Sequence, residues 1–350
     1  MTSSIIKDGI LFISRKNRHL NTGIGISAQL IVNILNSLKL KVYFVDSRNT
    51  HSYLSKQHKV NLIWIYDDGQ VTDTQISKLS KLYNNSIPIL FNSTFNNDLG
   101  QTKIIIDKIK NLGLYMVVFS NGVINLPHIE KYKNNLIVIP KTIKIARYRN
   151  LPFNRRKDIC IGDINKLLNS SLNDNLNVYK IITCIKEQFP DINLHAFKHH
   201  IYPLNHTLNP YNSNKINTQN EIEKIFNNVK IHGFQENLTD WLGNFRIYIS
   251  LINKETFSMV PVEAQSVGTV VFYRNMPQSL NEYISNSGYM WDDIDDLINA
   301  IKRIYYNKDS WTKLSELSLL NYKLRRFDVV AEIMLLQLEK VVIRHKKKCQ

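Results

Sequence analysis

The sequence predicts an α/β protein built from two doubly wound domains, and three observations carry that expectation. Short apolar runs alternate with longer amphipathic stretches up to residue 143. A basic, aperiodic stretch containing Pro152 then interrupts the pattern, and beyond it the alternation starts again. A chain of 350 residues allows two domains at about 100–200 residues each, and strands alternating with helices imply parallel βαβ units. The expected division is 1–150, 151–327 and a final helix with a basic tail, 328–350.

In the first half, "GILFISR" (9–15), "KVYFVDS" (41–47), "NLIWIYDD" (61–68), "IPILFNST" (87–94), "YMVVFSNG" (115–122) and "NLIVIPKTI" (135–143) read as strands. Residues 26–40 have apolar side chains at helical spacing (Ile26, Leu30, Ile31, Ile34, Leu35 and Leu38), and further helices are expected near 73–84 and 100–112. "KIARYRNLPFNRRKD" (144–158) has no periodicity and reads as a linker or an ordered loop. Strands follow at 158–164, 192–197, 229–234, 246–252 and 269–273. Helices are expected at 178–189 (stopped by Pro190), 221–226, 237–245, 278–284, 293–307, 310–323 and 328–345, with "RHKKKCQ" a frayed tail. Asn237 or Thr239 is the candidate cap of the 237–245 turn. In doubly wound sheets ligands bind at the carboxyl ends of the strands, where the strand order reverses, so two such domains facing each other form a cleft.

Composition narrows the partners. Net charge is +16, and residues 1–150 hold 20 Lys+Arg against 8 Asp+Glu, whereas 151–350 hold 25 against 21. A basic surface attracts phospholipid headgroups, nucleic acid or phosphorylated substrates; scattered lysines on a solvated face are the plainer reading. No apolar run approaches the roughly 20 residues of a membrane span, and the N-terminal stretch lacks the features of a secretory signal, so the expected location is cytoplasmic. Cys160, Cys184 and Cys349 are too few and too irregular for a disulfide framework or a Cys zinc site; two buried thiols and a tail thiol are expected. His199, His200 and His206 cluster in an Asn-rich stretch that reads as a surface loop. "DDIDD" (292–296) reads as an acidic helix N-terminus rather than a metal cluster, and no metal is expected.

The stretch "KETFSMVPVEAQSVGTVVFY" (254–273) carries the most chemistry. "NKETFS" leaves the carboxyl end of one strand and "MVPVEAQSV" forms a helix with Pro261 in its first turn, where a missing N–H costs little. Gly268 suits the helix C-terminus. The helix start points into the crevice, and the N–H groups of Ser258, Met259 and Val260, with the helix dipole, suit an anion such as a diphosphate. Glu255 lies just ahead of that site and Glu263 about a turn into the helix. A carboxylate accepts two hydrogen bonds side by side, which suits a vicinal diol on a ribose or a sugar ring. Either glutamate alone is more simply an exposed loop residue or a residue placed for the dipole. With Phe257, Ser258, Pro261, Gly268 and Thr269 around them, the pair is harder to read that way.

These residues resemble the E-x7-E segment of GT-B glycosyltransferases, the retaining family 4 in particular, and the similarity extends through "VKIHGFQENLTDWLGNFRIYIS" and "NMPQSLNEYISNSGYMWDDIDDLINAIKRI", about 229–307, with Glu282 at a family glutamate position. "NTGIGISAQLIVNILNSLKLKVYFV" (21–45) resembles the family's Gly-rich loop and first helix, where Gly23 and Gly25 let the backbone approach a phosphate or sugar. Two departures stand out. The family's Arg and Lys after the first strand of the second domain are replaced in "IGDINKLLNSS" by Asp163 and Leu168, with Lys166 the nearby cation, and the first-domain histidine is absent from "ILFNSTFNN".

The resemblance implies two Rossmann-like domains facing a cleft, with the last helix crossing back to the first. It implies a donor, a nucleoside diphosphate sugar, held by the second domain: Glu263 on the ribose, Glu255 on the sugar hydroxyls, the 258–260 amides and Phe257 around the diphosphate, and Lys166, Arg155 or Arg156 supplying positive charge. The first domain would take the acceptor, lipid-linked or a surface polysaccharide such as capsule or lipopolysaccharide, at the inner face of a membrane. A nucleic-acid acceptor, as for phage enzymes that glycosylate DNA bases, fits the same charge. A nucleotide-sugar epimerase and a non-catalytic nucleotide-sugar-binding relative are the other classes open.

Overall fold

A computed structural model describes residues 6, 8–14, 23–46, 59–67, 72–83, 86–92, 99–119, 121–124, 129–140, 142–143, 150–164, 167, 178–198, 227–251, 259–275 and 280–349. The chain forms two compact units, one of residues 1–144 with 324–350 and one of residues 145–323. The divisions fall a few residues ahead of positions 150 and 327.

Unit 1 contains six strands, β1 (Ile10–Ser14), β2 (Val42–Asp46), β3 (Leu62–Asp67), β4 (Ile87–Asn92), β5 (Tyr115–Val118) and β6 (Leu136–Val138). All pair in parallel, in the order β2-β1-β3-β4-β5-β6. A parallel sheet is covered on both faces, so its strands read as continuous apolar runs; β1 is buried along its whole length. The order reverses between β1 and β3. The helices are α1 (Gly23–Ser37), α2 (Asp73–Leu82), α3 (Leu99–Leu112) and the short α4 (Asn121–Ile124). Helix α2 opens on a capping box: Thr72 Oγ1 accepts from Gln75 N–H while Gln75 Oε1 accepts from Thr72 N–H.

Unit 2 repeats the plan with β7 (Ile159–Asp163), β8 (Leu194–Phe197), β9 (Val229–His232), β10 (Ile247–Ser250), β11 (Val270–Arg274) and β12 (Gly288–Trp291), in the parallel order β12-β11-β10-β7-β8-β9. The order reverses between β7 and β10. Its helices are α5 (Val178–Gln188), α6 (Leu238–Leu242), α7 (Met259–Ser266), α8 (Leu280–Ile284), α9 (Ile294–Tyr305) and α10 (Lys308–Lys323). Asp293 caps α9 by accepting from Asp296 N–H at 2.8 Å, as the acidic run suggests. Asn237 caps α6 without a side-chain hydrogen bond. Strand β12 has no counterpart among the sequence expectations; "GYMW" is too short and too glycine-led to announce a strand.

The last helix, α11 (Phe327–Cys349), packs on unit 1. Val330, Met334, Leu338, Val341 and Val342 join Ile31, Ile34 and Leu35 of α1 and Phe12 and Trp64 of the sheet in one core cluster. Thr142 Oγ1 donates to Arg325 O at 2.8 Å and fixes the approach to the helix. The expected frayed tail is helical as far as Cys349. Its last turns are held by buried Val341 and Val342, by the His345 ring edge-on to Tyr115 at 6.3 Å, and by Arg344 donating to Asn134 O at 3.5 Å.

Of the 144–158 segment, residues 150–158 are described and form an ordered loop, one of its two expected readings, with Arg156 fully buried in unit 2. Cys160 is buried and Cys184 half-buried, both as free thiols; burial pushes the Cys160 thiol up to about 12.

Candidate functional site

The switch point of unit 2 lies at the carboxyl ends of β7 and β10. Strand β7 ends in Gly162-Asp163. Gly162 has φ +98°, and a Cβ there would lie 2.9 Å from Tyr248 Oη on β10, so the position is closed to a side chain both sterically and conformationally. Strand β10 ends at Ser250, which is 1% exposed and whose Oγ has no hydrogen-bond partner among the described residues. Neither residue was among the expected site residues, although both lie in segments that carry the family resemblance; the signal for Gly162 was a glycine closing an apolar run.

Helix α7 follows the 252–258 connection. Met259 and Val260 form its first turn, Pro261 is buried there, and half-buried Glu263 lies one turn in. Glu255, Phe257, Ser258 and Lys166 lie outside the described residues, as do Leu168, the 221–226 helix and His199, His200 and His206. Of the expected donor residues, the structure therefore brings Met259, Val260 and Glu263 together on one short helix.

The far end of α7 is fastened by a polar network. Gly268 has φ +72° and lets the chain leave the helix, its N–H donating to Gln265 O at 3.0 Å. Arg156 reaches this corner from its loop: Nη1 donates to Thr269 Oγ1 at 2.9 Å, Nη2 to Asn150 Oδ1 at 3.0 Å and to Val267 O, and Nε to Leu151 O at 2.7 Å. The guanidinium lies 5.1 Å from the Trp311 ring centre, and burial lowers it to about 10, which leaves it charged at neutral pH. Ser315 on α10 donates to Gly268 O at 2.6 Å, and Gln265 Nε2 donates to Ser287 Oγ at 2.6 Å.

This geometry corrects one expectation. Arg156 is a structural bolt with its donors committed to protein acceptors, so it supplies no charge to a departing diphosphate. Arg155 is exposed on the same loop.

A second, half-buried polar group in unit 2 was invisible in the sequence. Asp158 Oδ2 meets His195 Nε2 at 3.1 Å, and His195 Nδ1 meets His232 Nε2 at 2.8 Å, the two rings stacked at 5.1 Å. The Phe245 ring centre lies 5.0 Å from that of His195, and Trp241 5.1 Å from His232. Desolvation lowers both histidines below their ordinary value; Asp158 pulls His195 back up, and Lys230 lowers both further.

In unit 1 the switch point lies at the carboxyl ends of β1 and β3. Gly23 and Gly25 sit in the first turn of α1 rather than in a loop preceding it, since the helix begins at Gly23. An apolar crevice in this unit is lined by Ile34, Trp64, Phe119, Pro140 and Met334. Among the described residues no helix is long and apolar enough to cross a membrane.

Two six-stranded parallel sheets, each doubly wound, define the GT-B class. Residues 187–307 match the family model of glycosyl transferases group 1. The fold is therefore that of the GT-B class, and the match to the glycosyl transferases group 1 model is confined to residues 187–307. Solved structures of similar fold include a TarM variant from S. aureus in complex with fondaparinux, alpha-GlcNAc-glycerol and UDP (15% identity, 82% of this chain, 58% of that one, TM-score 0.61). Anabaena HepE in complex with UDP is similar at 12% identity over 94% of this chain and 99% of that one, TM-score 0.65. Sucrose-phosphate synthase from Thermosynechococcus elongatus matches at 12% identity over 94% and 97%, TM-score 0.65. At such identities the likeness is one of fold, and the chain spans little more than half the length of TarM. No curated protein matches the sequence.

Proposed function

We propose that the protein is a retaining, family 4 glycosyltransferase that moves a sugar from a nucleoside diphosphate sugar to a lipid-linked or surface-polysaccharide acceptor. The observation that carries this reading is α7: an eight-residue helix that starts beyond the switch-point strand β10, has Glu263 one turn in, and is anchored at its far end by Arg156. HepE, of similar fold, was solved with UDP.

In this reading unit 2 is the donor domain. The N–H groups of Ser258, Met259 and Val260 stabilise charge on the departing diphosphate, beside Phe257, while Glu263 holds the ribose diol and Glu255 the sugar hydroxyls. Preorganised donors aimed at developing charge need no reorganisation as the bond breaks. Arg156 being committed elsewhere, Lys166 or Arg155 is the cation for the leaving group. Unit 1 is the acceptor domain, with Gly23 and Gly25 allowing close approach of the backbone. No metal takes part. The excess of positive charge before residue 150 supports an anionic acceptor or membrane surface, and hence a peripheral position at the inner membrane face.

Thermal stabilisation by a panel of nucleotide sugars tests the donor site. Binding to the native state raises Tm with ligand concentration. One nucleoside diphosphate sugar is expected to raise Tm by several degrees with EDTA present, and Glu263→Ala to abolish most of that rise. An equal shift in the variant removes Glu263 from the site, and no shift with any donor sinks the reading.

A further inference from the structure

The outward side of the last half of α11 combines charges with exposed aliphatic groups. Leu336 and Ile343, seven residues apart and so on one side of the helix, are 56% and 44% exposed. Lys340, Arg344 and Lys347 are exposed at the three- and four-residue spacings that put them on the same stripe, with Lys346 beside them, while Leu338, Val341 and Val342 face the core. Exposed Asp328 and Glu332 occupy the first turns. The helix dipole alone would account for acidic residues first and basic residues last, but it gives no reason for two large aliphatic side chains among the cations.

The stripe continues onto a neighbouring segment. Arg344 donates to Asn134 O in the 3-10 turn Glu130–Asn135, where Lys131 and Lys133 are exposed. Half-buried Tyr132 in that turn has Lys131 Nζ 5.4 Å and Lys110 Nζ 5.8 Å from its ring centre. Exposed Asp107 and Glu130 and half-buried Glu339 are the carboxylates on these segments, and the cations outnumber them.

We infer that the outward face of α11 from Leu336 onward, with the 130–135 turn, is an interfacial docking surface for anionic lipid headgroups. Cations there pair with headgroups, and their aliphatic stems run along the apolar boundary. Leu336 and Ile343 enter the layer between headgroups and acyl chains, and the amphipathic Tyr132 ring suits the same depth. Nucleic acid would reward the cations but offers nothing to exposed leucine and isoleucine, which is why the bilayer is preferred. The inference rests on the membrane-surface partner proposed above and makes it specific. Because Tyr115 and Leu136 begin their strands, the surface lies at the amino end of the unit 1 sheet. It holds the enzyme on the membrane and is separate from the Gly23 end, where the acceptor would react.

The test is sedimentation of the full-length protein with phosphatidylcholine vesicles, with and without a phosphatidylglycerol fraction. Wild type is expected to sediment only with the anionic vesicles. Lys346→Glu with Lys347→Glu should weaken binding about tenfold or more. Leu336→Ser with Ile343→Ser should weaken it several-fold at unchanged charge, and Lys308→Glu with Lys313→Glu on unit 2 should have little effect. Failure to bind anionic vesicles overturns the inference. So does a loss common to both charge-reversal pairs, which would make net charge the cause. Full binding by the Leu336/Ile343 variant, or stronger salt-sensitive binding to duplex DNA through Lys346 and Lys347, also overturns it, the last pointing to nucleic acid. The nucleotide-sugar Tm shift, measured on each variant, is expected to stay unchanged, so failure here is distinguishable from failure of the donor site.

Discussion

The two units fasten their switch-point helices by opposite means. In unit 2, α7 is bolted by polar bonds: Arg156 to Thr269 and Val267, Ser315 to Gly268, Gln265 to Ser287. In unit 1, α1 is held by aliphatic packing, with Ile31, Ile34 and Leu35 set against the sheet and α11. Hydrogen bonds are directional and tie a helix to one position, whereas apolar contacts are nondirectional and tolerate small shifts. A helix end that presents amides to a diphosphate gains from being fixed, since stabilisation by preorganised donors depends on their geometry.

Breaking the polar bolt should have the largest effect. Arg156→Met strands the buried acceptors Thr269 Oγ1 and Val267 O. At about 1–3 kcal/mol for each unsatisfied group, a loss on the order of 3 kcal/mol or more is expected in denaturant unfolding. Arg156→Lys should recover little of it, because an ammonium cannot reproduce the planar fork. A near-neutral Arg156→Met would mean that α7 is held by packing after all, and the contrast between the units would collapse.

The aliphatic fastening should yield next. Leu338 is fully buried beneath α11, and Leu338→Ala is expected to cost about 2–5 kcal/mol, read from the same unfolding curves. Nucleotide-sugar binding in unit 2 should persist in that variant under native conditions. If it does not, the two fastenings are coupled rather than independent.

The smallest effect is a pH dependence confined to unit 2. Burial lowers His195 and His232, facing Asp158 and Lys230, below the unfolded value of about 6.5. The unfolded chain then binds more protons as pH drops through that value, so this contribution is complete above about pH 6.5 and is lost on acidification. Tm should fall between about pH 6.5 and 5, and His232→Gln should flatten the profile. An unchanged slope in the variant would assign the acid sensitivity to other groups.

Most of this architecture was legible before any coordinates. Runs such as "ILFIS" and "LIWIYD" are apolar throughout because parallel strands are covered on both faces, and "MVPVEAQSVGTVV" announces a helix between two strands by Pro261 near its start and Gly268 after its end. What escaped were the features that depend on a partner distant in sequence. Arg156 sits in a basic, aperiodic stretch that reads as solvated, and its burial depends on Thr269, which is 113 positions away. The Asp158–His195–His232 chain joins three strand ends with no local pattern. The "RHKKKC" tail looks frayed by composition, yet unit 1 gives its last turns something to pack on.

The sequence by itself determined the element types, the repeated doubly wound plan and the position of α7, because hydrophobic periodicity and the backbone limits of proline and glycine act over a few residues. Only the tertiary structure decided which basic residue is structural, which polar groups are buried at the strand ends, and which face of α11 meets solvent. Those depend on the desolvation of one group by others far along the chain, a property that no short window of sequence contains.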